Sequence, residues 1–223
     1  MEIDKEKLKK SEKNKNLVLF DFDGTLSRGD TNAAFYKYCF KHSLRPWFHI
    51  HRVMFAMLYR FVAKFFKRDR FTVTKSDITW REISKSWMTL SLIKRLLPGF
   101  LDEFRTHRFG WAAQQVRKEH AGGNTVILTT AGPDFLIFPL VCDMDFDYII
   151  TTETRKRRRY KIKFFNYRAN KVAALQPFLD AGYTVLRAYS DSKNDMPMMN
   201  LAKTQIWINS HDGTLKRMET WKR

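Results

Sequence analysis

Residues 17–26, LVLFDFDGTL, constrain this chain more than any other segment. Four apolar residues read as a buried strand, and Gly24-Thr25 marks a sharp exit at its carboxyl end. In open α/β sheets that end is where ligands bind. Asp21 and Asp23 lie two apart on an extended backbone, so their side chains point the same way. Carboxylates so placed repel unless a cation lies between them or one stays protonated. Asp-x-Asp also occurs in solvated turns and calcium loops, so the rest of the chain has to decide.

Four further apolar runs read as buried strands: residues 125–130, 147–152, 184–190 and 204–209. Helical patterns follow or separate them over 109–120, 134–142, 170–181 and 195–202. Such alternation predicts an α/β fold, a doubly wound parallel sheet with helices on both faces. One stretch breaks the rhythm. Residues 32–106 have helical periodicity and no strand signal, with breaks near 43–46, 69–76 and 98–99. The expected organisation is a charged lead-in (1–15), a core (16–31 and 107–223) and a helical cap inserted between the core's first two strands.

A net charge of +18 calls for anionic partners: phosphorylated substrates, an acidic membrane surface or nucleic acid. The charged N-terminus has no apolar core of a secretory signal and reads as a lead-in or a short frayed helix. No uncharged apolar run approaches the ~18 residues of a spanning helix. Cys39 and Cys142 have no metal-ligand spacing, which suits a reducing compartment, and read as two small buried thiols. The six His residues show no metal spacing either.

Three more elements fall where the first strand's acids would need them. Thr129-Thr130-Ala131-Gly132-Pro133 ends the second strand and opens a helix, where a hydroxyl and free N–H groups suit a phosphate, or serve as an ordinary cap. Asn170-Lys171 puts a cation in a helical first turn, against the helix dipole unless an anion lies nearby. Asp191 and Asp195, four apart after the fourth strand, suggest a metal or a helix cap.

The order of these parts is more specific than any one of them. DFDGT, LTTAGP, NK and YSDSKND resemble the four motifs of the haloacid dehalogenase superfamily of phosphohydrolases, over nearly the whole chain. The helical insert after the first motif resembles the cap of the subgroup that includes phosphoserine phosphatase. YSDSKNDMPMM, ANKVAAL and INSHDGTLKRMETW look closest to lipid phosphatases of the phosphatidylglycerophosphatase C type.

The resemblance implies roles that carboxylate chemistry can support. Asp21 would be the nucleophile that forms an aspartyl-phosphate, and Asp23 the general acid and base. Mg2+ would be held by the carboxylate set Asp21, Asp23, Asp191 and Asp195. Within it Asp23 would use its backbone carbonyl, and Asp195 would act through water or orient Lys171. Thr130 and Lys171 would grip the phosphoryl oxygens, with Thr129 as competitor for Thr130. Asp30 would face the substrate or cap the following helix.

At about 100° per residue, Ile50, Met54, Met57, Leu58, Phe61, Val62 and Phe65 cover one broad arc of a helix spanning 45–67. Arg45, His49, Arg52, Arg60 and Lys67 fall opposite. That is the pattern of an interfacial membrane helix, and equally of a cap helix packed on its neighbours. Residues 155–163 form a second basic block, interleaved with Tyr160, Phe164, Phe165 and Tyr167; a charged β-hairpin explains it better than nucleic-acid stacking. The expected protein is a cytoplasmic, Mg2+-dependent phosphomonoesterase, peripheral on the inner face of a membrane and acting on a lipid such as phosphatidylglycerophosphate. A small soluble phosphomonoester is the alternative substrate, and a nucleic-acid module the more distant one.

Overall fold

The computed structural model describes residues 14–65, 69–155 and 160–220. The charged N-terminus, Lys67 and most of the second basic block lie outside them. Seven strands form one sheet in the order β4-β3-β2-β1-β5-β6-β7. They are β1 (Asn16–Phe20), β2 (Thr125–Pro133), β3 (Tyr148–Thr154), β4 (Ile162–Phe164), β5 (Thr184–Ser190), β6 (Thr204–Ile208) and β7 (Leu215–Thr220). The five from β3 to β6 across the middle are parallel, and β4 and β7 close the edges antiparallel.

The apolar run before Asp21 explains the centre. Alternate side chains of a strand face opposite sides. Leu17 and Leu19 pack with Leu175, Phe178 and Met198, while Val18 and Phe20 pack with Val116, Leu136 and Phe100. Buried on both faces, β1 has no room for a polar residue until the chain leaves the sheet at Asp21. It pairs with β2 on one side and β5 on the other, so its carboxyl end is a topological switch point.

Between β1 and β2 the described residues hold helices and no strand. They are α1 (Thr31–His42), α2 (Arg45–Phe48), α3 (Ile50–Phe65), α4 (Lys75–Ser84), α5 (Leu90–Phe104) and, leading back into β2, α6 (Ala112–Ala121). Helices α7 (Asp134–Val141), α8 (Ala169–Asp180) and α9 (Met196–Met199) follow the sheet strands β2, β4 and β5. One apolar cluster runs from Val18 and Phe20 through Phe100 and Phe104 of α5 to Trp87 and Val53, tying the insert to the sheet.

Several local expectations are corrected. No break occurs at 98–99: α5 runs through Pro98, because Leu92, Leu96, Phe100 and Phe104 bury one continuous face. The 45–67 helix is instead two, α2 and α3, divided at His49. The second strand does not stop at Thr130; Pro133 still pairs with Thr152, and α7 begins only at Asp134. Residues 195–202 form a 3₁₀ turn (Lys193–Asp195) and the short α9 in place of one helix. Cys39 is buried, but Cys142 is exposed. Strands β3 and β4 on either side of the second basic block pair antiparallel, while residues 156–159 of the block lie outside the described residues.

Candidate active site

The chain reverses sharply after β1. Gly24 has φ +75°, a left-handed conformation that glycine adopts without steric cost, and a Cβ there would overlap the Asp191 carboxylate. Thr25 Oγ1 accepts the Asp191 backbone N–H at 3.1 Å, which locks the end of β5 to this turn. Asp21, Asp23 and Asp191 thus meet at the switch point.

Lys171 enters from the first turn of α8 and is 1% exposed. Its Nζ donates to Asp21 Oδ1 and forms an ion pair with Asp195 Oδ1, both at 2.8 Å. Ser190 Oγ donates to the other Asp195 oxygen at 2.8 Å. Asp195 is therefore engaged through both oxygens, and it anchors Lys171. Burial disfavours the ammonium, yet Asp195 and Asp21 outweigh it and raise the Lys171 pKa. The sequence-level puzzle of a cation in a helical first turn is answered by these two buried anions.

The acids outnumber that single cation. Burial pushes Asp21 well above the usual carboxylate range, with Lys171 opposing and Asp195 and Asp23 adding. Asp23 is raised to about 7 by burial and by Asp30, against hydrogen bonds from Thr31. Asp191 is raised to about 6 by burial and by Asp195. Thr31 donates its N–H to Asp23 Oδ1 at 2.9 Å, and its hydroxyl to the same oxygen. Asp191 Oδ1 is buried and has no hydrogen-bond partner among the described residues.

This arrangement suits a hard divalent cation. Among the described residues, no group of three or more His, Cys, Asp or Glu side chains is arranged to hold a metal alone. Mg2+ does not need one: it keeps several waters and takes one or two carboxylates plus substrate phosphate. Asp21 and the orphaned oxygen of Asp191 supply that, with charge left over to be neutralised.

Thr130 and Thr129 are separated by strand alternation. Thr130 lines the cavity above the acids, and its Oγ1 accepts the Gly132 N–H at 3.1 Å. Thr129 faces away and accepts from Asn166 Nδ2 at 3.0 Å. That Asn166 amide also donates to the carbonyls of Thr130 (3.1 Å) and Ile150 (3.0 Å). It clamps β2 to β3 beside the site, and no motif marks it in the sequence. Asp30 caps α1 by accepting the Ala33 N–H at 2.8 Å, and it also lines the cavity.

The cavity has a volume of about 730 Å³. Its floor is Asp21, Asp23, Thr130, Lys171, Asp191 and Asp195, and its roof is α1, α3 and α4 of the insert. Arg81 and Lys85 stand in its wall, neither anticipated from the sequence. A lone Arg or Lys on an amphipathic helix reads as solvated surface, so nothing local could have singled them out.

Residues 18–200 match the haloacid dehalogenase-like hydrolase family, and the chain belongs to it. It is a hydrolase by that membership. No curated relative matches the chain in sequence. Among solved structures, a protein of unknown function from Bordetella pertussis Tohama I superposes with a TM-score of 0.65 at 21% identity, over 87% of this chain and 90% of that one. A probable phosphoserine phosphatase from Vibrio cholerae gives 0.61 at 14%, over 86% of this chain and 55% of the other. A phosphoserine phosphatase solved as a phospho-aspartyl intermediate analogue gives 0.55 at 15%, over 86% and 85%. At these identities the likeness establishes the fold.

Proposed function

We propose that the protein is a Mg2+-dependent phosphomonoesterase that works through an aspartyl-phosphate on Asp21. The observation that carries this reading is the buried Asp21–Lys171–Asp195 chain at the cavity floor, beside the unpaired oxygen of Asp191. A carboxylate oxygen of Asp21 attacks phosphorus, and the bond from phosphorus to the leaving oxygen breaks. Asp23 gives that oxygen its proton. Now a carboxylate, Asp23 takes a proton from water, which attacks the same phosphorus, frees inorganic phosphate and restores Asp21. Lys171 and the Thr130 hydroxyl hold the phosphoryl oxygens, and Asp195 positions Lys171. Asp21, Asp191 and the Asp23 carbonyl would hold Mg2+, which offsets phosphoryl charge when bound.

The preferred substrate is a phosphorylated membrane lipid of the phosphatidylglycerophosphate kind. Support comes from α3, whose apolar arc is turned outward: Met54, Leu58, Phe61 (61% exposed) and Phe65 (74% exposed) face away from the protein. Leu44, Trp47 and Phe48 extend that surface. Arg52 and the more exposed Arg60 lie on the side of α3 that meets the rest of the insert. Arg52 donates to Ser86 Oγ at 3.1 Å, and Arg60 stacks 4.7 Å from the Trp80 ring centroid. So large an apolar surface, with net charge +18 behind it, fits an anionic bilayer. Met57 and Val53 of the same helix line the cavity, so the apolar surface and the reaction site share one element. Among the described residues no helix is long and apolar enough to cross a membrane.

A small soluble phosphomonoester is the second reading. The cavity's size and aromatic walls would enclose one, and several solved neighbours carry the name phosphoserine phosphatase. Phosphate release with Mg2+, measured on soluble phosphomonoesters and on phosphatidylglycerophosphate in mixed micelles, separates the two. Asp21→Asn is the control, and undiminished turnover in it overturns the mechanism. Turnover confined to soluble substrates overturns the lipid assignment alone.

A further inference from the structure

The cavity wall contributed by α4 and its C-terminal flank is basic and aromatic. The Arg81 guanidinium lies 4.2 Å from the Trp80 ring centroid and 4.5 Å from that of Phe165. Its Nη1 donates to the Asp77 carbonyl at 2.6 Å, and its other nitrogens have no hydrogen-bond partner among the described residues. One turn on, Lys85 Nζ donates to Asn32 Oδ1 at 2.7 Å and lies 5.0 Å from the Tyr160 ring centroid. Both line the cavity, and among the described residues neither forms an ion pair with a carboxylate.

Removing cations from water without a counter-charge is unfavourable. Burial lowers Lys85 to about 8, with Arg81 adding to the fall and Asp30 opposing it. Burial also lowers Arg81 to about 10, with Tyr167 and Asp77 opposing the fall without forming an ion pair to it among the described residues. Two cations facing one cavity are stabilised by an anion placed between them. On the proposed mechanism the reacting phosphoryl group already has Lys171, the Thr130 hydroxyl and the cation that Asp21 and Asp191 would hold as its own partners. Arg81 is also held flat by its ring neighbours, so its free edge is presented without further loss of rotamer entropy.

We propose that Arg81 and Lys85 form a second anion subsite, which binds a negatively charged group on the substrate's leaving group. The substrate is then a phosphomonoester that carries a second anion, either a phosphodiester or a carboxylate. This assignment rests on the phosphomonoesterase reading for its kinetic consequence, but not for its binding consequence.

Three probes separate the cases: p-nitrophenyl phosphate with no second anion, O-phosphoserine with a carboxylate, and water-soluble glycerophosphoglycerophosphate with a phosphodiester. The expected result is a kcat/KM preference for one of the last two over p-nitrophenyl phosphate. Lys85→Gln and Arg81→Gln lower that preference at least tenfold through KM, and Lys85→Arg keeps part of it. An unaltered preference, or an equal loss on all three probes, overturns the subsite. Calorimetric binding of the same compounds to Asp21→Asn protein needs no turnover. There Lys85→Gln weakens the compound with the second anion at least tenfold, and equal affinities in the two proteins overturn the proposal. Intact second-anion binding without turnover by the unmutated protein would instead sink the phosphatase reading alone. Thermal melts check folding, and Lys85→Gln carries the test if Arg81→Gln does not fold.

Discussion

At the scale of single residues, one strand end gives two chemically identical side chains different surroundings. Burial raises both, but Asp21 has the Lys171 ammonium opposing that rise at hydrogen-bond distance, while Asp23 meets Thr31 and Asp30 and rises to about 7. The difference lies in their partners, a cation for the nucleophile and, among the described residues, none in contact for the proton donor. Asp23→Asn should lower kcat about 10²–10⁴-fold on an alkyl phosphate, the usual contribution of a positioned acid. On p-nitrophenyl phosphate, whose leaving group needs no proton, the loss of the phosphorylation step should be far smaller. Steady-state and burst kinetics on the two substrates read the difference; equal losses would remove Asp23 from the acid role. These two acids were legible in the sequence because a strand exit and a two-residue spacing are local. Asn166 and Thr25 were not, since their partners, Thr129 and Ile150 for the first and Asp191 for the second, are brought to them only by the fold.

At the scale of elements, α6 is pinned to β5 by a buried polar cluster behind the site. Arg187 donates to both Glu119 oxygens (2.9 and 2.5 Å), and Tyr189 donates to Oε1 at 2.8 Å while stacking on Phe20. Burial raises the Glu119 pKa, but Arg187, Tyr189 and Gln115 outweigh it, so the net value lies below the ordinary 4.5. A depressed carboxyl stabilises the fold fully above its unfolded pKa, and the benefit is lost as pH falls through the folded one. Urea melts should therefore show stability falling below pH 4.5. Glu119→Gln should flatten that limb and cost roughly 1.5–3 kcal/mol at pH 7, the contribution of charged hydrogen bonds, since Arg187 is one-third exposed and can turn to water. Strand β7 escaped the sequence reading because LKRMET is an edge strand with little burial and no apolar alternation. Its partner β6, fully buried over most of its length, was plain.

At the scale of the whole molecule, the sheet and the insert together make a cavity that neither makes alone. A cation bound at its floor adds stability by mass action, about 2.7 kcal/mol at a hundredfold excess over Kd. For a chain of this size that is a rise in Tm of about 5–10 °C. Millimolar Mg2+ should produce such a shift, and Asp191→Asn should abolish it. The outward face of α3 makes the other prediction. Phe61→Glu/Phe65→Glu should abolish co-sedimentation with anionic vesicles and change folding stability by no more than about 0.5 kcal/mol per site. Retained vesicle binding would overturn the interfacial role of α3.

The sequence by itself determined the five parallel strands of the sheet, the helical run between the first two of them and the order of acids, threonine and lysine around one strand end. Each depends on contacts between near neighbours, or on strands that must be apolar because both faces are covered. It also revealed the two faces of α3, but periodicity has no sign. A helical wheel separates an apolar arc from a basic one without saying which points inward. Only the tertiary structure decided that, by offering Arg52 a hydroxyl and Arg60 an indole ring inside the insert. The same packing set Arg81 and Lys85 across the cavity from Asp21. Their meeting depends on how α4 lies over the end of β1, which no local pattern encodes.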